Sequence, residues 1–250
     1  MMSTIGRIHS LDTFGTVDGP GIRFVLFMQG CALQCQYCHN RDTWDRDKGN
    51  AKKVEEILSE VEPYIHYYKS SKGGITITGG EPTLQAPFVK EVFEACKQKW
   101  NLHTALDTSG FNDPSRIKDL FDVTDLLLLD IKQMDDDKHK KLTGQSNERI
   151  LKVIQYASEM NKKMWIRHVL IPGITDDYSD LFELGKFIGK LKNVEKVEIL
   201  PYHRMGVFKW QQLGYSYPLE GVRTPTDQEL KRAIQIVDKG IEENTLSKIT

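Results

Sequence analysis

Six short runs of β-forming residues recur along the chain, each followed by a charged segment with apolar residues at helical spacing. This alternation limits the fold more than any other feature. The runs are IRFVLFM (22–28), ITIT (75–78), LHTALD (102–107), LLLLD (126–130), MWIRHVLI (164–171) and VEIL (197–200). Segment 52–69 puts Val54, Ile57, Leu58 and Val61 on one helical face, with Pro63 expected to end or kink it; segment 86–100 does the same with Phe88, Val92, Phe93 and Cys96. Further helices are expected at 114–121, 147–161, 178–191 and 227–243. Repeated strand–helix units point to a parallel sheet, and LLLLD and VEIL are apolar enough for strands covered on both faces. Two closures fit, a doubly wound open sheet or a barrel with fewer than eight units. No Walker or GxGxxG loop follows the first strand. We therefore expect an α/β fold, a partial (β/α)6 barrel with a parallel sheet and outer helices, in one domain over 1–250.

The polar punctuation follows the strands. The loop GCALQCQYCHN (30–40) comes after the first, GGEP (79–82) after the second and DTSG (107–110) at the third. DIK (130–132) ends the fourth, IPGITDD (171–177) the fifth and LPYHRMG (200–206) the sixth. In βα barrels the loops at the strand C-termini share one face, where active sites form. Taken singly these residues are ordinary: Asp107 and Asp130 as caps, Lys132 as a solvated charge, GGEP as a turn. Their shared position after strands raises the functional reading. Cys96, on the inner face of its helix, reads as a buried small hydrophobe.

A net charge of −1 offers no basic excess for a nucleic-acid or membrane partner. No window approaches the roughly 18 apolar residues of a membrane helix, and the first 20 residues contain no apolar signal-peptide run. The expected location is the cytoplasm, where clustered cysteines indicate metal or redox chemistry rather than disulfides.

Three of the four cysteines are spaced Cys31-x3-Cys35-x2-Cys38. Zinc sites usually join two separate ligand pairs, and no second pair exists here. Covalent haem matches CQYCH formally but leaves Cys31 unexplained. A [4Fe–4S] cluster ordinarily takes four thiolates, so three would leave one iron open to a small molecule. Apolar and aromatic neighbours such as Phe27 and Tyr37 would shield such a cluster from water.

CxxxCxxC after the first strand, with GGEP after the second, resembles the radical S-adenosylmethionine (SAM) superfamily, which implies a partial barrel of that type. It further implies that SAM chelates the open iron, that one electron cleaves its sulfonium, and that the resulting 5′-deoxyadenosyl radical takes a hydrogen atom from a substrate. The resemblance assigns Cys31, Cys35 and Cys38 to the cluster. It places Gly79 and Gly80, lacking Cβ atoms, at the amino end of SAM together with Glu81. Lys132 falls to the SAM carboxylate, beside Asp130 and Ile131, and Tyr37, His39 and His203 to the nucleoside.

Within the superfamily, IGRIHS, GTVDGPGIRF, YCHNRDTWD, LDTSGF, LLDIKQM, WIRHVLIPG and VEKVEILPYH resemble the activases of glycyl radical enzymes, most narrowly the pyruvate formate-lyase subgroup. Positions 39–78 hold no cysteine, so the ferredoxin-like insert of many other activases is absent. The implied reaction takes a hydrogen atom from a backbone glycine Cα of pyruvate formate-lyase; the activase of another glycyl radical enzyme is the alternative. The resemblance also implies a peptide contact at Asp18, reduced flavodoxin as electron donor, and a monovalent cation (Na+ or K+) held by Asp107, Thr108, Asp130 and the Leu128 carbonyl. No oligomer signature is present, so a monomer is expected.

Overall fold

In chain order the computed structural model, which describes residues 4–246, forms β1 (Ile5–Gly15), β2 (Arg23–Met28), β3 (Asn50–Lys53), α1 (Val54–Val61), α2 (Ile65–Ser70), β4 (Gly74–Gly79), α3 (Ala86–Trp100), β5 (His103–Thr108) and α4 (Pro114–Asp122). There follow β6 (Leu126–Asp130), α5 (Asp136–Thr143), α6 (Glu148–Glu159), β7 (Lys163–Leu170), α7 (Tyr178–Ile188), β8 (Val194–Pro201), α8 (Val207–Gln212) and α9 (Asp227–Leu246). The strand order is β3-β1-β2-β4-β5-β6-β7-β8. The six expected runs are thus β2 and β4 to β8, side by side in chain order. Pairing is parallel for β2–β4, β4–β5 and β7–β8, as βα units require.

Strands β1 and β3 are additions to the expected pattern, and both pair antiparallel. β1 escapes an apolar-run reading because most of its residues are exposed or half-buried and polar ones interrupt it. Two register shifts against β2 break its alternation further. Helices α5 and α8 also lie outside the expected set. Pro63 acts as expected: α1 ends at Val61, a 3₁₀ turn carries the proline, and α2 resumes at Ile65.

The chain divides into two compact units, Met1–Ala32 with Thr43–Leu128 and Leu33–Asp42 with Leu129–Thr250. The first buries Phe24, Leu26, Ile75 and Ile77 of its strands and Phe88, Val92, Phe93 and Cys96 of α3. Burial pushes the Cys96 thiol up to about 12, so it stays protonated and inert, as a small apolar residue would. Arg23 is also fully buried. It donates from Nε to Thr76 Oγ1 (2.5 Å), from Nη1 to Pro20 O (3.0 Å) and from Nη2 to Ile75 O (2.7 Å), stapling β2 to β4. Burial lowers its pKa to about 10, against the opposing field of Asp18.

The second unit buries Leu129, Ile150, Ile154, Ile166, Leu181 and Val237. Asp177 caps α7, accepting from Ser179 N and Asp180 N. The α7–α9 crossing is closed by two glycines. A Cβ at Gly185 would stand 2.2 Å from Val237 O and 2.9 Å from Gly240 Cα. Gly185→Ala should therefore destabilise the protein by about 2 kcal/mol, overpacking outweighing the roughly 1 kcal/mol gain in helix propensity. Urea unfolding measures this, and a raised midpoint would show that the helices separate without cost.

Candidate active site

The loop after β2 is pinned through its backbone at several steps. In the first unit, Gly30 N donates to Thr43 O (2.7 Å) and Cys31 N to Trp44 O (3.3 Å). In the second unit, the last carbonyls of α5, orphaned by helix geometry, accept from the loop. Gln34 N reaches Thr143 O (2.7 Å), Gln36 N reaches Leu142 O (2.9 Å) and Gln36 Nε2 reaches Lys141 O (2.9 Å). Cys38 N closes a turn onto Cys35 O, and Trp210 Nε1 donates to Cys38 O (2.9 Å).

Lys132 also belongs to the second unit. Its Nζ lies 3.0 Å from Asp130 Oδ2 and 5.6 Å from the centre of the Tyr37 ring. Burial works to discharge this ammonium, but the fields of Asp130, Tyr37 and Cys35 outweigh it and hold the Lys132 pKa well above its ordinary value. Burial pushes the Cys35 thiol up to about 12, Lys132 opposing, and raises the Tyr37 phenol in the same way. Ile131 is strapped at both ends: its N–H donates to Arg167 O (2.9 Å) and its carbonyl faces His168 Nδ1 (2.8 Å).

His39 donates from Nε2 to His203 O (3.1 Å), and the two rings lie 4.3 Å apart. Burial lowers the His39 pKa against that hydrogen bond, helped by His203 and Lys209. Lys209 in turn holds Asn40 and Asp42, each at 3.1 Å. His203 Nδ1 is buried and has no hydrogen-bond partner among the described residues. A buried orphan of this kind costs about 1–3 kcal/mol unless a ligand completes it.

The first unit carries the other predicted residues. Glu81, fully buried, is saturated from within. Its Oε1 accepts from Thr83 N (3.1 Å), Thr83 Oγ1 (2.6 Å) and Thr108 Oγ1 (2.5 Å), and its Oε2 from Ser109 N (2.9 Å) and Ser109 Oγ (2.5 Å). Its backbone N–H donates to Gly30 O (2.8 Å). The double glycine has a structural reason beside the expected one: a Cβ at Gly79 would stand 2.3 Å from Met28 N, and one at Gly80 would stand 2.2 Å from Gly30 O. Asp107 accepts from Thr78 Oγ1 (2.9 Å), and Thr108 Oγ1 also accepts from Gly110 N (2.9 Å). Leu128 is a buried β6 residue. Asp18 is anchored through its carbonyl, which accepts from Thr76 Oγ1 (2.6 Å).

Among the described residues no group of three or more His, Cys, Asp or Glu side chains is gathered to hold a single metal ion. None of the four cysteines is in a disulfide. The chemistry of the donor set fits a cluster with an open iron: three thiols on a pinned loop, a charged ammonium, and an unsatisfied buried imidazole nitrogen.

The profile of the radical SAM superfamily matches residues 25–185. The pyruvate formate-lyase 1-activating enzyme of Escherichia coli K12 is 48% identical over 241 residues, covering 95% of this chain and 97% of that protein. The pyruvate formate-lyase-activating enzyme of Staphylococcus epidermidis is 50% identical over 240 residues, covering 93% of this chain and 95% of its own length. The chain belongs to the radical SAM superfamily, among the pyruvate formate-lyase activating enzymes. A solved domain of such an activating enzyme from Bacteroides vulgatus superposes with a TM-score of 0.57 at 28% identity, covering 67% of this chain and 94% of that one. Membership implies a [4Fe–4S] cluster and SAM. No helix among the described residues is long and apolar enough to cross a membrane.

Several supporting residues carry no motif. Trp210, His168 and the α5 carbonyls act through contacts distant in sequence, and only the orphaned carbonyls of a helix end, once α5 is recognised, would have pointed to a partner.

Two predictions follow from this chemistry. Each Glu81 oxygen receives one backbone N–H, which cannot reverse its role, so the NH2 of Glu81→Gln meets a donor in either orientation. A loss of about 3 kcal/mol is expected in denaturant unfolding, and an unchanged midpoint would remove the carboxylate from this role. His139 and His168 have pKa values lowered by burial, opposed by hydrogen bonds to carbonyls. Their contribution is complete above the unfolded value of about 6.5 and is lost as pH falls through that value toward the lower folded ones. Stability measured from pH 8 to pH 5 should decline, and a flat profile would mean both rings take up protons as readily in the folded protein as in the unfolded one.

Proposed function

We propose that this protein generates a glycyl radical on pyruvate formate-lyase, with Cys31, Cys35 and Cys38 holding the cluster. The observation that carries the reading is a cysteine loop pinned through its backbone, in a chain that matches activating enzymes at 48–50% identity over nearly its whole length. Bound together, cluster and SAM supply the one-electron chemistry that makes a hydrogen-abstracting 5′-deoxyadenosyl radical.

The chain's own residues bind and orient. Lys132, kept charged by Asp130, pairs with the methionine carboxylate. His203 offers its unpartnered Nδ1 to the nucleoside, and His39 fixes the backbone on which His203 stands. Tyr37 excludes water beside Lys132, and the strapped backbone of Ile131 offers no loose group to compete. Gly79 and Gly80 present backbone to the amino end of SAM, while Glu81 holds the turn that carries them. Asp107, Thr108, Asp130 and the Leu128 carbonyl are oxygen donors of the kind a Na+ or K+ ion takes. Asp18 meets the peptide of the partner, reduced flavodoxin supplies the electron, and the protein acts in the cytoplasm as a monomer.

Electron paramagnetic resonance on the reconstituted, dithionite-reduced protein tests the core of this. A reduced [4Fe–4S] signal that changes on adding SAM, followed by a glycyl radical when pyruvate formate-lyase is present, is expected. A cluster indifferent to SAM would make the protein an electron carrier instead. Cys38→Ala should lose the cluster and SAM cleavage, whereas Cys96→Ala should keep both. Lys132→Ala should weaken SAM binding at least about 10-fold, one lost charge-assisted contact, with the cluster retained.

A further inference from the structure

Resting on the reading above, we infer that an arginine-lined pocket of the first unit is the docking site for the acidic face of the electron-donor protein. The pocket encloses about 650 Å³ and is lined by Arg7, Arg46 and Arg116 together with Gln29, Gln85 and Asn112. No carboxylate lines it. All three arginines are exposed, and none forms an ion pair with a carboxylate among the described residues. Two of the acids close to them in sequence are engaged: Asp45 pairs with Lys48 at 3.8 Å, and Asp113 caps α4 by accepting from Ser115 N. In a chain of net charge −1, three uncompensated guanidinium groups on one concavity make a local anion-attracting field.

The scaffold beneath them is fixed. Gln85 Oε1 accepts from Arg7 N (2.7 Å), and Gln85 Nε2 donates to Arg7 O (3.0 Å) and Gln29 O (2.9 Å). Gln29 Nε2 donates to Asp45 O (2.7 Å), the residue before Arg46. Asn112 Nδ2 donates to Thr83 O (2.9 Å), ahead of the helix that carries Arg116. Each arginine thus extends from pinned backbone, and guanidinium is the cation best shaped for carboxylates.

Position identifies the partner. Arg46 packs on Gly30, its Cγ 3.2 Å from where a Cβ would stand, and Gly30 precedes Cys31. Gln29, in the pocket wall, is two residues from Cys31, at most about 7 Å along the chain. A protein docked there comes close to a cluster ligand, as tunnelling requires. In the transfer itself, a reduced flavoprotein loses one electron and the oxidised cluster gains it.

The test uses the reconstituted full chain and a flavodoxin of acidic pI as probe. In Arg7→Ala/Arg46→Ala/Arg116→Ala, calorimetric affinity for oxidised flavodoxin should fall at least about 10-fold at low salt, since exposed charge pairs contribute up to about 1 kcal/mol each. The difference from the unmodified protein should vanish in 0.5 M salt. Cluster reduction by reduced flavodoxin should slow in parallel, while reduction by dithionite stays unchanged. Equal affinities for the two proteins would overturn the proposal, as would inorganic phosphate binding in the pocket without affecting flavodoxin. Loss of the SAM response in the dithionite arm of the unmodified protein would overturn the functional reading instead.

Discussion

Strands β2 and β4 can present their loops in one register only because no side chain stands at 79 or 80. Met28 pairs with Gly79 at the end of the parallel ladder, and the chain then doubles back so that Gly80 N donates to Met28 O (2.9 Å) and Glu81 N to Gly30 O. A Cβ at either glycine would come within 2.3 Å of the opposing backbone. Backbone cannot yield at that distance without breaking the ladder. The stretch leading into Cys31 and the GGEP turn are therefore one structural object. Gly79, at φ +112, adopts a conformation that L side chains rarely reach, so conformation and space require the same residue.

Glu81, Arg23 and Lys132 are each satisfied by a different device. Glu81 has donors on both oxygens and no cation; Arg23 has three carbonyls, a hydroxyl and the field of Asp18. Lys132 has a carboxylate and an aromatic face. The choice has chemical consequences. A carboxylate whose lone pairs are filled by short internal bonds is a structural strut, whereas an ammonium held by Asp130 and Tyr37 keeps a further N–H donor for a ligand. This difference separates the residues that shape the candidate site from those free to bind within it.

How far the sequence discloses this depends on the range of the interaction. LLLLD is Leu126–Asp130 without adjustment, because a strand buried on both faces is apolar throughout. Strand β1 is hidden by its exposed face and its register shifts. Helix α5 is poor in apolar residues, yet its ends were written in Asp135, which accepts from Lys138 N, and in Gly144 at φ +78. The thiol spacing and GGEP are local signals and fall where the pattern puts them, after β2 and β4. The steric reason for the glycines, the five donors on Glu81 and the hydrogen bond from Trp210 to Cys38 are tertiary facts. No periodicity encodes them.

Charge follows the same division. A net charge of −1 rules against a strongly basic surface on average, but an average cannot report where counter-charges go. Several lysines here are matched at helical spacing, as in Lys52–Glu56, Lys90–Glu94, Lys118–Asp122 and Lys152–Glu148. These pairs cancel locally and contribute little to either stability or long-range field. What remains for recognition is charge that no such pair cancels. Arg7, Arg46 and Arg116 come from a strand, a loop and a helix, with 38 and 69 residues between successive members, so only the folded β2–β4 framework makes them neighbours. A field that survives such cancellation needs charges without a nearby counter-charge, and in the first unit the three arginines supply one beside the residues that lead to Cys31.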